Sequence, residues 1–148
     1  MKKEQPDLLI SIGQAGGRAA ITPERVAVNM QDEGAPDNAD VMRSEATIYE
    51  DGPAAYFSKL PVKKIEQAVK KAGIPCSISN TAGLYVCNDV MYHILYWIER
   101  EFPKMKGGFI HVPYTTEQVL NKPSQPSMPI DMITRALEIA VETVIMDM

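Results

Sequence analysis

Cysteine and histidine are scarce in this chain, with two of each among 148 residues. Two cysteines cannot build a disulfide framework. No Cys or His pair has zinc-ligand spacing, so no metal site is expected. Basic residues fall short of acidic ones, 15 against 19, leaving a net charge of −4. A nucleic-acid partner needs a basic surface, so none is expected. No apolar run approaches a membrane span, so no membrane partner is expected either. The start MKKEQPDLLISIG is basic, but Glu4 and Asp7 interrupt it and Gln14 ends the apolar run early, unlike a secretory signal. A cytoplasmic location, where free thiols stay reduced, is the expectation. Repeats and low-complexity tracts are missing too. What remains is ordinary: 45% apolar and 23% charged residues, enough for one domain over residues 1–148 that folds without staples.

The chain reads as alternating strands and helices. Leu8 to Ile12 is a short apolar run stopped by Gly13, and residues 20–30 are rich in β-branched side chains, so both read as strands. Residues 31–51 are polar and form a long loop, of the kind that serves as a lid or partner contact. Ile65, Ala68, Val69 and Ala72 then recur at helical spacing, with Gly73 as the stop. Ile74 to Ser79 is a strand candidate. Val86 to Phe102 is helical, with Val90, Ile94, Trp97 and Ile98 on one stripe and Pro103 closing it. GGFIHVP is a buried strand. The last helix has Ser127 as N-cap, Pro129 and Asp131 in its first turn, and a core stripe of Ile130, Ile133, Leu137, Ala140, Val141, Val144 and Ile145. The order β-β-α-β-α-β-α predicts an α/β domain with a largely parallel sheet.

Chemistry-bearing residues are few. Cys87 falls where the small-residue turn TAG gives way to a helix, so helix N–H groups and the positive dipole end favour a thiolate and an oxyanion. The bland alternative is a small buried hydrophobe. Cys76 follows Pro75 inside a strand and reads as buried and inert. His111 ends a strand, where α/β proteins place functional groups, and is the better base. His93 is six residues beyond Cys87, about 240° round the helix, and reads as a surface or packing residue. Glu24, between Pro23 and Arg25, is ordinarily solvated; in a catalytic role it would orient an imidazole. The Gly-rich loop GQAGGR is neither a Walker loop nor a dinucleotide fingerprint, and its backbone groups suit either a neutral amide ring or a plain turn.

GQAGGR, ITPERVAVN, PDN, DGPAAYFSKLP, TAGLYVCN, MYHIL and GGFIHVPY occur in that order. Together they resemble the pyroglutamyl peptidase I family, over residues from Gln5 to about Leu137. The resemblance implies a layered α/β/α single domain of phosphorylase/hydrolase-like type with a largely parallel, twisted sheet. It implies a cytosolic cysteine peptidase that removes N-terminal 5-oxoproline from peptides, without a cofactor, as a homotetramer. By motif, the implied triad is Glu24, Cys87 and His111, and the implied lactam-binding residues are Gln14, Tyr85 and Val86.

Departures from the family pattern accompany the match. The N-terminal GFxPFGG-type segment, whose aromatics line the lactam pocket, is expected to be missing. Gly34 stands where the family usually has arginine, and Asp89, in place of the usual histidine, puts a negative charge beside the thiolate. These features keep open a second reading, a non-catalytic or weakly active remnant that acts as a structural or binding partner. A glutamine-amidotransferase-like hydrolase would need a G-x-C-x-G elbow, but Tyr85 and Asp89 occupy the glycine positions.

Overall fold

A computed structural model describes residues 4–32, 34–36 and 40–148. The Met1–Lys3 start and Asp37 and Asn38 of the PDN motif lie outside the described residues. In chain order the elements are β1 (Leu8–Gln14), β2 (Thr22–Pro23), β3 (Val26–Val28), β4 (Ala55–Phe57), α1 (Val62–Lys71), α2 (Val86–Glu101), β5 (Lys106–Val112), a 3-10 turn (Glu117–Val119) and α3 (Ile130–Met146).

The main sheet has the order β1-β5-β2. Lys106 N–H donates to Asp7 O at 2.9 Å and Ala15 N–H to Val112 O at 2.9 Å. Residue numbers rise together along both strands, so β1 and β5 are parallel. β2 runs antiparallel to β5, with Thr22 opposite His111 and Pro23 opposite Ile110. On its other edge β2 meets residues 75–79 in parallel: Ile21 N–H donates to Pro75 O, Ser77 N–H to Ile21 O and Ser79 N–H to Pro23 O, each at 3.0 Å. This ribbon is what the strand expected at 74–79 becomes. It pairs through isolated bridge residues, Cys76 and Ser79, and Pro75 can accept but not donate. Parallel pairing therefore dominates the sheet, and the fold class is α/β.

The strand expected over residues 20–30 is two strands. β2 ends at Pro23, and β3 pairs antiparallel with β4 in a separate sheet, with Ala27 opposite Tyr56. The chain sorts into two units. The first comprises Met1–Ser11, Glu24–Lys59 and Asn80–Phe109. There α2 packs on β3 and β4, burying Ala27, Tyr56, Met91, Tyr92, Leu95, Tyr96 and Phe109. The Tyr49 and Tyr96 rings stack at 3.8 Å. A second cluster gathers Ile94, Ile98 and Met105. Thus α2 is buried on two faces, and Val90, expected on its core stripe, is 37% exposed. Gly107 is required here, because a Cβ on it would come within 2.4 Å of Ile98 Cδ1.

The second unit comprises Ile12–Pro23, Leu60–Ser79 and Ile110–Met148, with α1 packed on α3. α1 buries Ile65 and Val69, whereas Ala72, expected on that stripe, is exposed. Gly73 ends the helix at φ +79°, a conformation that favours glycine. α3 buries Ile133, Ala136, Ile139, Ala140 and Val144. Of its expected stripe, Ile130, Val141 and Ile145 are instead exposed. The helix is apolar on more than one side, so its buried face is set by α1 and not by periodicity alone. Ser127 is not the N-cap. Pro129 holds that position without a side-chain cap, and Ser127 lies in a parallel bridge with Tyr114. Among the described residues no helix is long and apolar enough to cross a membrane.

Candidate active site

The first unit carries Cys87, Tyr85, Val86 and Glu24. Thr81 Oγ1 accepts the Gly83 N–H at 3.1 Å, and Gly83 has φ +81°, so the TAG turn is tight and sterically open. Tyr85 is the extended N-cap of α2, at φ −111° and ψ −163°, with no side-chain cap bond. The helical ladder begins with Asp89 N–H donating to Tyr85 O at 3.1 Å. The N–H groups of Val86, Cys87 and Asn88 precede that ladder and lie at the positive end of the helix. Cys87 is a free, half-buried thiol in this first turn, packed against the aromatic cluster. Tyr85 and Val86 are 39% and 41% exposed, available to a ligand.

Residues 28–32 and Pro36 are bonded to this turn repeatedly. Asp32 N–H donates to Leu84 O at 3.0 Å, and the Tyr85 hydroxyl donates to Pro36 O at 2.9 Å. Gln31 Nε2 donates to Asp89 Oδ1 at 2.8 Å. Asn88 bonds through its side chain to Val28 and Met30. Glu24, two residues before β3, is fully buried, contrary to the solvated position usual for a glutamate. Its N–H donates to Phe109 O at 2.9 Å. Gly34 is exposed, with nothing within 4 Å of where a Cβ would stand.

The second unit carries His111 and Gln14. His111 is the penultimate residue of β5 and buried, and its carbonyl accepts a bond from Thr22 Oγ1 at 3.4 Å. Gln14 ends β1 with an exposed side chain whose Nε2 donates to Gln118 Oε1. The same Gln118 oxygen accepts the Thr115 N–H at 2.9 Å. A backbone N–H can only donate, so it fixes which end of Gln118 is the oxygen. Gln14 must then use its nitrogen there, leaving its oxygen as an acceptor for a ligand. The Gly-rich loop folds tightly over Tyr114: a Cβ on Gly16 would meet that ring at 2.6 to 2.8 Å.

The remaining candidates are structural. Cys76 is 3% exposed, and burial, reinforced by Glu66, pushes its thiol up to about 11. His93 Nδ1 lies 2.9 Å from Asp89 O and 3.4 Å from Asp89 Oδ1, and its ring rests against Tyr49. The Asp89 side chain, above all, raises the His93 pKa. Reading the sequence missed Asn88, Gln31 and Gln118. The available signal was a polar residue on the buried face of α2 directly after Cys87.

The pyroglutamyl peptidase family model matches residues 1–147. The chain belongs to the pyroglutamyl peptidase family. A pyrrolidone-carboxylate peptidase of Thermosipho africanus is 52% identical over 143 residues, covering 97% of this chain and 70% of the relative. That of Lactobacillus johnsonii is 47% identical over 145 residues, covering 98% and 67%. The crystal structure of pyroglutamyl peptidase I from Bacillus amyloliquefaciens superposes with a TM-score of 0.94 at 50% identity, covering 97% of this chain and 68% of that one. The pyrrolidone carboxyl peptidase of Thermococcus litoralis matches with a TM-score of 0.94 at 40% identity, covering 97% and 68%. The chain thus spans roughly two thirds of these family members.

Proposed function

We propose that this pyroglutamyl peptidase family member is a cysteine peptidase that releases N-terminal pyroglutamate from peptides, with Cys87 as nucleophile, His111 as base and Glu24 as the group that orients the imidazole. The observation that carries the reading is the position of Cys87, a free thiol in the first turn of α2 beside N–H groups that precede the helical ladder.

His111 takes the thiol proton, and the Cys87 sulfur attacks the pyroglutamyl carbonyl carbon. The N–H groups at the start of α2 receive the resulting oxyanion. The C–N bond breaks as His111 returns its proton to the leaving amine, giving a thioester. His111 then deprotonates water, which attacks the thioester and frees pyroglutamate and the thiol. Glu24 stabilises the charged imidazole and keeps it in the working tautomer. The lactam N–H is accepted by the Gln14 oxygen, and Tyr85 and Val86 form the apolar wall. The working enzyme is cytoplasmic and homotetrameric.

The test is release of a fluorogenic amine from a pyroglutamyl amide by the purified chain. Activity is expected in the wild type, none in Cys87→Ser, and a fall of roughly 10³-fold or more in Glu24→Gln. No release by the folded wild type overturns the reading. Gly34, where the family usually has arginine, favours a second one: a non-catalytic relative that binds a partner. That reading expects folded protein without turnover.

A further inference from the structure

We infer that Asn88, the residue after the candidate nucleophile, is a positioning residue that holds Cys87 and the first-turn N–H groups in their working arrangement. Its kinetic consequences rest on the peptidase reading above; its structural basis does not. Asn88 is 1% exposed, on the face of α2 that otherwise buries Met91, Tyr92 and Leu95. A buried amide must have its bonds satisfied, and this one does. Its Oδ1 accepts the Val28 N–H at 2.9 Å, while its Nδ2 donates to Val28 O at 2.9 Å and Met30 O at 3.0 Å.

The bonding pattern explains what the amide does. Along a strand, successive residues direct their backbone groups to opposite edges. Arg25 O and Asn29 N–H face the β4 side, bonding Ser58 N–H and Ala54 O at 2.9 Å each. The Val28 N–H and C=O point to the other edge, where the Asn88 side chain takes both, as a partner strand would. The third residue of α2 is thereby fastened to the end of β3, on the stretch of chain that begins with Glu24. Together with the ties at Leu84, Tyr85 and Asp89, this bond set brackets Cys87 on both sides. A first turn held this way resists fraying. The Cys87 and Asn88 N–H groups keep one direction, as a site built to receive an oxyanion requires.

Asn29 provides the control, because it is the same residue type at the same strand end. Its Nδ2 donates to Tyr49 O and Gly52 O at 2.8 and 3.2 Å, and its Oδ1 accepts Ile48 N–H and Tyr49 N–H at 3.1 and 2.9 Å. The experiment compares Asn88→Ala and Asn29→Ala in the full chain, with Asn88→Ser as the milder variant should the alanine fail to fold. Thermal unfolding, hydrolysis of a pyroglutamyl amide and alkylation of Cys87 by iodoacetamide are measured for each. In the Asn88 variants kcat is expected to fall about 10²-fold with KM within about twofold, the mark of an interaction made in the transition state. Alkylation is expected to slow about tenfold. Asn29→Ala is expected to lower Tm at least as far while changing neither rate. Unchanged kcat and alkylation in the folded Asn88 variants overturn the inference, as does an equal loss in Asn29→Ala. If the wild type hydrolyses no pyroglutamyl amide, the peptidase reading fails, and the alkylation comparison alone decides the role of Asn88.

Discussion

Gly107→Ala offers a quantitative test of how β5 packs on α2. A methyl at this position would stand 2.4 Å from Ile98 Cδ1, 3.3 Å from Ile94 Cγ2 and 3.2 Å from the backbone oxygen of Leu9. Ile98 is fully buried, so its δ-methyl has no solvent to move into. Overpacking of this kind costs about 2 kcal/mol. The Gly107 φ lies outside the left-handed region, so alanine fits the backbone and recovers about 0.5 kcal/mol through the unfolded chain. The net loss is about 1.5 kcal/mol, a Tm drop of about 3–6 °C for a chain of this size. Ile98→Val deletes the clashing methyl and alone costs about 1 kcal/mol. In the double variant the new methyl occupies the space that the old one leaves. The pair is expected to cost about 1 kcal/mol in all, a favourable coupling of about 1.5 kcal/mol. Chemical denaturation of the four proteins measures the cycle. Simple additivity of the two single losses would refute this account of the contact.

Four further outcomes are expected. The His93 pKa is raised by Asp89 above its ordinary 6.5, so the stabilisation is complete below that value and is lost as pH rises through the higher folded-state pKa. His93→Gln should therefore flatten the decline of Tm with pH across that window. At neutral pH iodoacetamide should label Cys87 alone, because Cys76 is 3% exposed with its thiol pushed up to about 11; peptide mapping should find Cys76 modified only after unfolding. Gln118→Met removes the acceptor that orients Gln14, so KM for a pyroglutamyl amide should rise about three- to tenfold with little change in kcat, whereas Gln118→Glu, which keeps an oxygen there, should stay near wild type. Tyr92→Phe deletes the hydroxyl bonded to Pro53 O at 2.6 Å and should cost about 1 kcal/mol in denaturant unfolding.

The elements that could be read from the sequence are those with clear punctuation. Gly73 closes α1 and Pro103 follows α2, and both stops are realised. β5 reads directly from GGFIHVP, with Gly107 explained by the close approach of Ile98. The β3–β4 ribbon was hidden, because Ala55–Phe57 is only three residues long and its partner sits in a stretch that looks like one continuous strand. The break at Glu24 is a tertiary fact, in which β2 joins β5 while β3 joins β4. The phase of α3 was unreadable for a different reason. Ile130, Val141 and Ile145 are as apolar as Ile133 and Ile139, and only packing decides which face is buried. At the candidate site, Cys87 and His111 stood out by residue type and position. Asn88 did not, because its role lies in three bonds to backbone groups 58 to 60 residues away in sequence.

In the proposed reaction Cys87 is acylated by the pyroglutamyl group. The direct measurement is intact-protein and peptide mass spectrometry after rapid acid quench of the chain mixed with a pyroglutamyl ester. One pyroglutamyl acyl group, carried on Cys87, is expected to appear before free pyroglutamate and to be missing in Cys87→Ser. Acylation at another residue, or hydrolysis that continues unchanged in Cys87→Ser, would contradict it.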